Sequence, residues 1–255
     1  MVTETKLSEL SENKDIKELL EALENHGLSK EKNDVSALIS YIESMENKLS
    51  KMNNELHEMY GEVTKIRNST LHAKCAQILS TAGEKIAQAQ RMVSIFKSNL
   101  IISAKNTVEQ FKMKGKEVLV SAVNAMKIPF ALDSLKNGFN KASATMSKNA
   151  EKVDILKNEL HGVGFHLKNV GRTLIGKPPK ESEPLKSDKG ILTKLMNFYE
   201  KSANTFSNME SRAERLSNRM KNSYEKQQSV KYDLKQLKAM HQNKSKSPLS
   251  KEKAR

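Results

Sequence analysis

Residues 35–66 read VSALISYIESMENKLSKMNNELHEMYGEVTKI. Within them Val35, Leu38, Ile42, Met45, Leu49, Met52, Leu56, Met59, Val63 and Ile66 alternate steps of three and four without a miss. Such an alternation keeps one apolar stripe facing a partner helix, the a and d positions of a heptad. Glu46, Lys48, Glu55 and Glu62 flank the stripe, as a solvated edge requires. The methionines make the stripe adaptable, and they read as core filler, not as a metal or cofactor box. These ten residues form the candidate interaction seam.

Working outward, Ile16, Leu19, Leu20 and Leu23 lie on one helical face, and Gly27 stands where a C-terminal cap belongs. A short helix is expected from about Glu12 to Asn25. Downstream, the register slips around Asn68-Ser69-Thr70, which predicts a bend or a local change of supercoil. The pattern resumes through Leu71, Cys75, Ile78, Ala82, Ile86, Ala89, Val93, Phe96, Leu100, Ala104, Thr107, Phe111, Val118 and Ala122. Gly83 and Gly115 weaken it locally, by roughly 1 kcal/mol each relative to Ala. Pro129 ends it.

A third seam runs Leu132, Leu135, Phe139, Ala142, Met146, Asn149, Val153, Leu156, Leu160, Val163, Leu167, Val170 and Leu174. Asn149 is its only polar member. A buried Asn at such a position sets register or partner number; the alternative, preferred here, is that Ala150 rotates inward and Asn149 faces water. Pro178, Pro179 and Pro184 then mark a linker. A last, weaker seam passes through Leu195, Phe198, Ser202, Thr205, Met209, Ala213, Leu216, Met220, Ser223, Gln227, Val230, Leu234 and Leu237, followed by a Lys/Ser-rich tail. The expected organisation is a short acidic helix and turn (1–28), long heptad helices (29–128), a third heptad helix (129–176), a Pro-rich linker (177–190), a basic helix (191–242) and a disordered basic tail (243–255).

Composition agrees. Among 255 residues only 37% are hydrophobic and 5% aromatic, with no Trp, while Gly and Pro number 10 and 5. Few breakers and many Lys, Glu, Leu, Met and Ala belong to long helices that bury narrow seams. The net charge of +14 is polarised. Residues 1–60 hold 7 Lys against 13 Asp and Glu, and residues 177–255 hold 19 Lys and Arg against 9 Asp and Glu. The single cysteine, Cys75, fits a reducing compartment. Met1 to Glu24 has no apolar core segment, and no apolar run approaches ~18 residues, so neither a signal peptide nor a transmembrane helix is expected. A cytoplasmic location follows as an expectation.

Signs of chemistry are few. Gly171-Arg-Thr-Leu-Ile-Gly176-Lys177 has phosphate-loop spacing, yet Pro178 replaces the required Ser or Thr and no strand precedes it; it reads as a helix end. His161 and His166 are five apart and do not share a helical face, so no metal site is expected. No catalytic, cofactor or metal residues are proposed, and no small-molecule substrate is expected. Candidate nucleic-acid contacts are Arg212, Arg215, Arg219, Lys235, Lys238, Lys244 and Lys246, which would meet phosphates without reading sequence. Residues 99–132 combine Ala, Val, Ile and Phe with Lys, a pattern compatible with an interfacial membrane helix and with core packing.

The stretches LLEALENHGLSKEKNDVSALISYIESME (19–46), NLIISAKNTVEQFKMKG (99–115), GFHLKNVGRTLIGK (164–177) and PLKSDKGILTKL (184–195) resemble an uncharacterised family of helical proteins encoded in Firmicutes genomes, often on clostridial conjugative or mobile elements. The resemblance covers most of residues 16–200, leaves the basic last helix and tail outside, and implies a bacterial cytosolic helical protein without active-site residues. The reading is therefore an all-α protein whose long amphipathic helices form an elongated antiparallel coiled-coil bundle. Its expected role is that of a non-catalytic scaffold or adaptor, bound to a protein partner or to itself. The runners-up are a sequence-independent nucleic-acid accessory acting through the basic C-terminal half, and a peripheral membrane binder acting through residues 99–132.

Overall fold

The computed structural model describes residues 10–115, 119, 126–180 and 190–244, with side chains of the last helix described through residue 222. The expected tail from 245 onward and most of the linker, 181–189, lie outside the described residues. Among the described residues a 3-10 turn, Leu10–Glu12, precedes five helices: α1 (Lys14–Asn25), α2 (Ser29–Val63), α3 (Ser69–Lys114), α4 (Ile128–Leu174) and α5 (Ile191–Lys244). No strand occurs among the described residues.

Each boundary has a local chemical cause. Asn13 caps α1, its Oδ1 accepting from the amides of Asp15 and Ile16. Gly27, at φ +71°, ends the same helix, with Gly27 N–H donating to Glu24 O and Leu28 N–H to Leu23 O. This is the Schellman arrangement expected of a glycine just past a helix end. Gly176 repeats it at the end of α4: φ is +72°, Gly176 N–H donates to Thr173 O and Lys177 N–H to Arg172 O. The phosphate-loop look-alike is thus the carbonyl end of a helix, whose partial negative charge is unsuited to an anion.

The predicted slip at 68–70 is a chain reversal. α2 stops at Val63, and Asn68 Oδ1 accepts from Leu71 N–H to start α3 in the opposite direction. Gly115 is likewise not a weak point inside a continuing helix. At φ +75° it terminates α3, with its N–H on Phe111 O, so Val118 and Ala122, assigned to that seam, fall outside the described residues. Pro129 occupies the first turn of α4, where its missing N–H costs no helical bond.

The long helices run alternately up and down in a closed ring, α2 beside α3, α3 beside α4, α4 beside α5, and α5 back beside α2. Cross-links show the antiparallel registers. Lys97 of α3 donates to both Glu46 carboxylate oxygens of α2 at 3.0 and 2.9 Å. The Phe139 and Phe206 rings of α4 and α5 stack with centroids 6.1 Å apart. Tyr41 OH of α2 donates to Met209 O of α5 at 2.6 Å, inside the core. Gly138 lets α4 approach Met92 of α3, where an added Cβ would meet the thioether carbon at 2.3 Å. α1 crosses one end, with Glu18 paired to Lys112 and His26 edge-on to Phe111.

Candidate interaction surface

The interaction seam read from 35–66 is closed by the chain itself. Val35, Leu38, Ile42, Met45, Leu49, Met52, Leu56 and Val63 are buried, and Met59 and Ile66 pack partly buried against them. Fully burying one such side chain contributes roughly 1.5–3 kcal/mol, so this stripe is the core of the bundle, not a free docking face. In the segment 99–132, read as a possible membrane face, Leu100, Ala104, Val108, Leu119, Ile128 and Leu132 face inward, whereas Ile102, Met113 and Phe130 are exposed. No helix among the described residues is long and apolar enough to cross a membrane.

The candidate nucleic-acid residues divide. Arg212 lies over the Tyr41 ring, its guanidinium carbon 5.5 Å from the centroid, and reaches Ser44 Oγ. Arg219 pairs with the buried Asp34 at 2.8 Å. Burial raises the Asp34 carboxyl despite that arginine, so removing the cation would leave a poorly solvated acid. Arg215 is exposed. The side chains of Lys235, Lys238 and Lys244 lie outside the described part of α5, and Lys246 lies beyond it. Arg212 and Arg219 thus serve α2–α5 packing.

Asn149 is only 2% exposed, alongside a buried Ala150. The preferred expectation that Asn149 turns to water is overturned, because both residues face the bundle interior. Its Nδ2 has no hydrogen-bond partner, and Tyr199 OH and Ser202 Oγ are also buried without one. Burial pushes the Tyr199 hydroxyl well above the ordinary tyrosine range and raises the Cys75 thiol, so Cys75 is a packed apolar filler and not a thiolate nucleophile. No group of three metal-capable side chains gathers among the described residues.

Among the described residues Ile95, Ile102, Met113 and Phe130 are exposed on α3 and the start of α4, and the longest exposed apolar stripe lies on the third seam. As far as Leu156 the seam is buried. Beyond it α4 runs past the start of α5, and the seam emerges: Leu160 is 39% exposed, Val163 57%, Leu167 67%, Val170 57% and Leu174 82%. From Leu156 to Leu174 this extension is about 27 Å long at ~1.5 Å per residue. The described part of the returning chain, 175–180, is held on another face of α4. Lys180 exchanges two bonds with the Asn169 side chain, N–H to Oδ1 at 3.0 Å and its carbonyl accepting from Nδ2 at 3.1 Å. Arg172 Nε donates to Pro178 O at 2.9 Å. Asn169 and Arg172 lie on the helix face opposite Leu167, given ~100° per residue. Between Lys180 and the helix is a groove of about 570 Å³ whose lining includes the seam residue Leu160 with His161, Gly164, Phe165 and Lys168.

Gly162, Gly164 and Gly171 sit within this extension, and nothing lies within 4 Å of where their Cβ atoms would be. Each costs the helix roughly 1 kcal/mol relative to Ala, and no packing among the described residues accounts for that cost. Sequence reasoning missed this surface because the seam's spacing is the same on both sides of Leu156; the glycines were the available signal.

No curated protein and no solved structure matches this chain. A family match spans residues 12–255. It takes in the basic last helix and tail that the resemblance had left outside, so these belong to the same unit of descent as the bundle. The chain belongs to the family of unknown function DUF6674.

Proposed function

We propose that this protein is a non-catalytic helical scaffold or adaptor that binds protein through the open seam of α4. The observation that carries the reading is the emergence of an unbroken heptad stripe from the bundle at Leu160, with four further apolar residues exposed on one face. Contiguous apolar surface of this kind marks an interaction site more often than scattered single residues do. The rest of the bundle supports it as a rigid stem, since among the described residues the other long seams pack into one core. The resemblance to proteins of Firmicutes mobile elements supports a bacterial, cytoplasmic setting.

The test compares the full-length protein with Leu167→Asp, a change at a solvent-facing position, in affinity capture from the native host with and without nuclease. The scaffold reading expects a captured protein, this chain or another, that survives nuclease and is lost with Leu167→Asp. Capture that depends on nucleic acid and ignores Leu167→Asp would replace it with the accessory role of the basic half.

A further inference from the structure

We infer that the open seam of α4 is closed by a second copy of this chain, the two extensions lying antiparallel about a twofold axis near Gly164. The inference rests on the scaffold reading and names its partner. Its first support is continuity. The stripe that packs Leu132–Leu156 inside the bundle passes into Leu160, Val163, Leu167, Val170 and Leu174 with no change of period. The open part therefore has the shape that a heptad partner helix fits.

The second support is self-complementarity. With Val163 of one copy opposite Leu167 of the other, Leu160 meets Val170, so these four seam positions find apolar partners and the contact closes as an isologous dimer, while Leu174 reaches the end of the partner's bundle, where Leu156 is already buried. Residues beside the seam are Lys157, Glu159, Gly164, His166, Gly171 and Thr173. In this register Lys157 and Glu159 come opposite the far ends near Gly171 and Thr173, so neither faces a like charge. Gly164 comes opposite Gly164, and the missing Cβ atoms, which meet nothing in their own chain, let the two backbones approach.

The size of the contact sets the expected strength. Five partly exposed side chains per copy amount to roughly 1,000 Å² for the pair, at the lower edge of specific interfaces, so the dimer should form at micromolar concentration. Residues 157–177 hold four Lys and Arg against one Glu. Screening of that repulsion makes self-pairing tighten as salt rises, whereas an acidic partner helix would be released.

The experiment is sedimentation velocity of the full chain from about 5 to about 500 µM, at roughly 150 and 500 mM salt, concentrations that bracket a weak interface. The wild type should pass from monomer to dimer, with the midpoint at least as low at the higher salt. Leu167→Asp should remain monomeric with an unchanged melt. Because Cys75 is buried, a single Gly164→Cys variant should oxidise to a covalent dimer, and Asn158→Cys, on the outer face, should not. A monomer at the top concentration in both salts would overturn the inference. So would a dimer that ignores Leu167→Asp, or equal cross-linking from Asn158→Cys. Should the chain stay monomeric while Leu167→Asp still abolishes capture of a different protein, self-pairing falls and the docking reading stands.

Discussion

Replacing Asn149 with Leu should stabilise the bundle. The side chain lies between Met146 and Val153 on the buried stripe of α4, and its Nδ2 has no partner. A buried polar group left unsatisfied costs about 1–3 kcal/mol, and Leu removes that cost while adding apolar burial. Against this stands overpacking, which costs about 1–3 kcal/mol where a core has no slack. Here there is slack: a cleft of about 350 Å³ between α3 and α4 is lined in part by Asn149, Ile78, Ile155 and Leu156. The favourable terms should win by about 1–2 kcal/mol, which for a domain of this size raises the melting temperature by roughly 2–8 °C. Denaturant titration followed by circular dichroism reads the change, with Asn149→Ala as the smaller control. A loss of 1 kcal/mol or more with the Leu variant would show that Asn149 makes a bond the bundle depends on. If Leu stabilised the chain but scrambled its oligomeric state, Asn149 would be the residue that fixes helix register, as polar seam residues do elsewhere.

Leu49→Asn should cost at least about 3 kcal/mol, since it puts an unpaired amide at a position 1% exposed, while Lys48→Asn should stay within about 0.5 kcal/mol in the same thermal melts. The Asp133 carboxyl is held below its ordinary value of 3.8, chiefly by the Lys221 hydrogen bond. Its contribution is therefore present above that value and lost as pH falls through the lower folded one, so Asp133→Asn should flatten the acid limb of a stability-versus-pH profile. Asp34 runs the other way: burial raises it, so its share of stability is fully present below 3.8 and is lost as pH rises through the folded value, opposing Asp133 in acid titrations. Fluorescence anisotropy with labelled DNA and RNA should show binding that weakens steeply between about 50 and 200 mM salt and is absent near physiological strength; tight, length-dependent binding at the higher salt would restore the nucleic-acid reading.

The helices and their inward faces were legible because a heptad stripe reports, residue by residue, which side of a helix avoids water. Gly27 was identified for a reason the structure upholds, whereas Pro129, expected to end the second seam, opens α4 after Gly115 has ended α3, and Asn149, expected to face water, turned inward. Three features were not legible. The reversal at 64–68 looked like a slip because Ile66 and Leu71 are both apolar, and only the Asn68 cap distinguishes a turn from a skipped residue. In α3 and α5 the stripe drifted: Leu79 is buried where Ile78 was expected, and Phe206, stacked on Phe139, fills the place assigned to Thr205. A four-helix ring presents each helix with two neighbours, so its buried face is wider than a two-helix seam. Finally, the same spacing describes the closed and the open halves of α4. Periodicity records that a face is apolar, and only the lengths of the neighbouring helices decide whether the chain covers it.

The account's central claim, that the Leu167 face of α4 is where this protein meets another, is tested most directly by site-specific photo-cross-linking in the native host. A photoreactive residue is placed in turn at Val163, Leu167 and Val170, and at Asn158 and Gly162 away from the seam. The account predicts intermolecular adducts from the first three positions and few or none from the other two. Adducts of equal yield from both sets, or none from the seam, would contradict it.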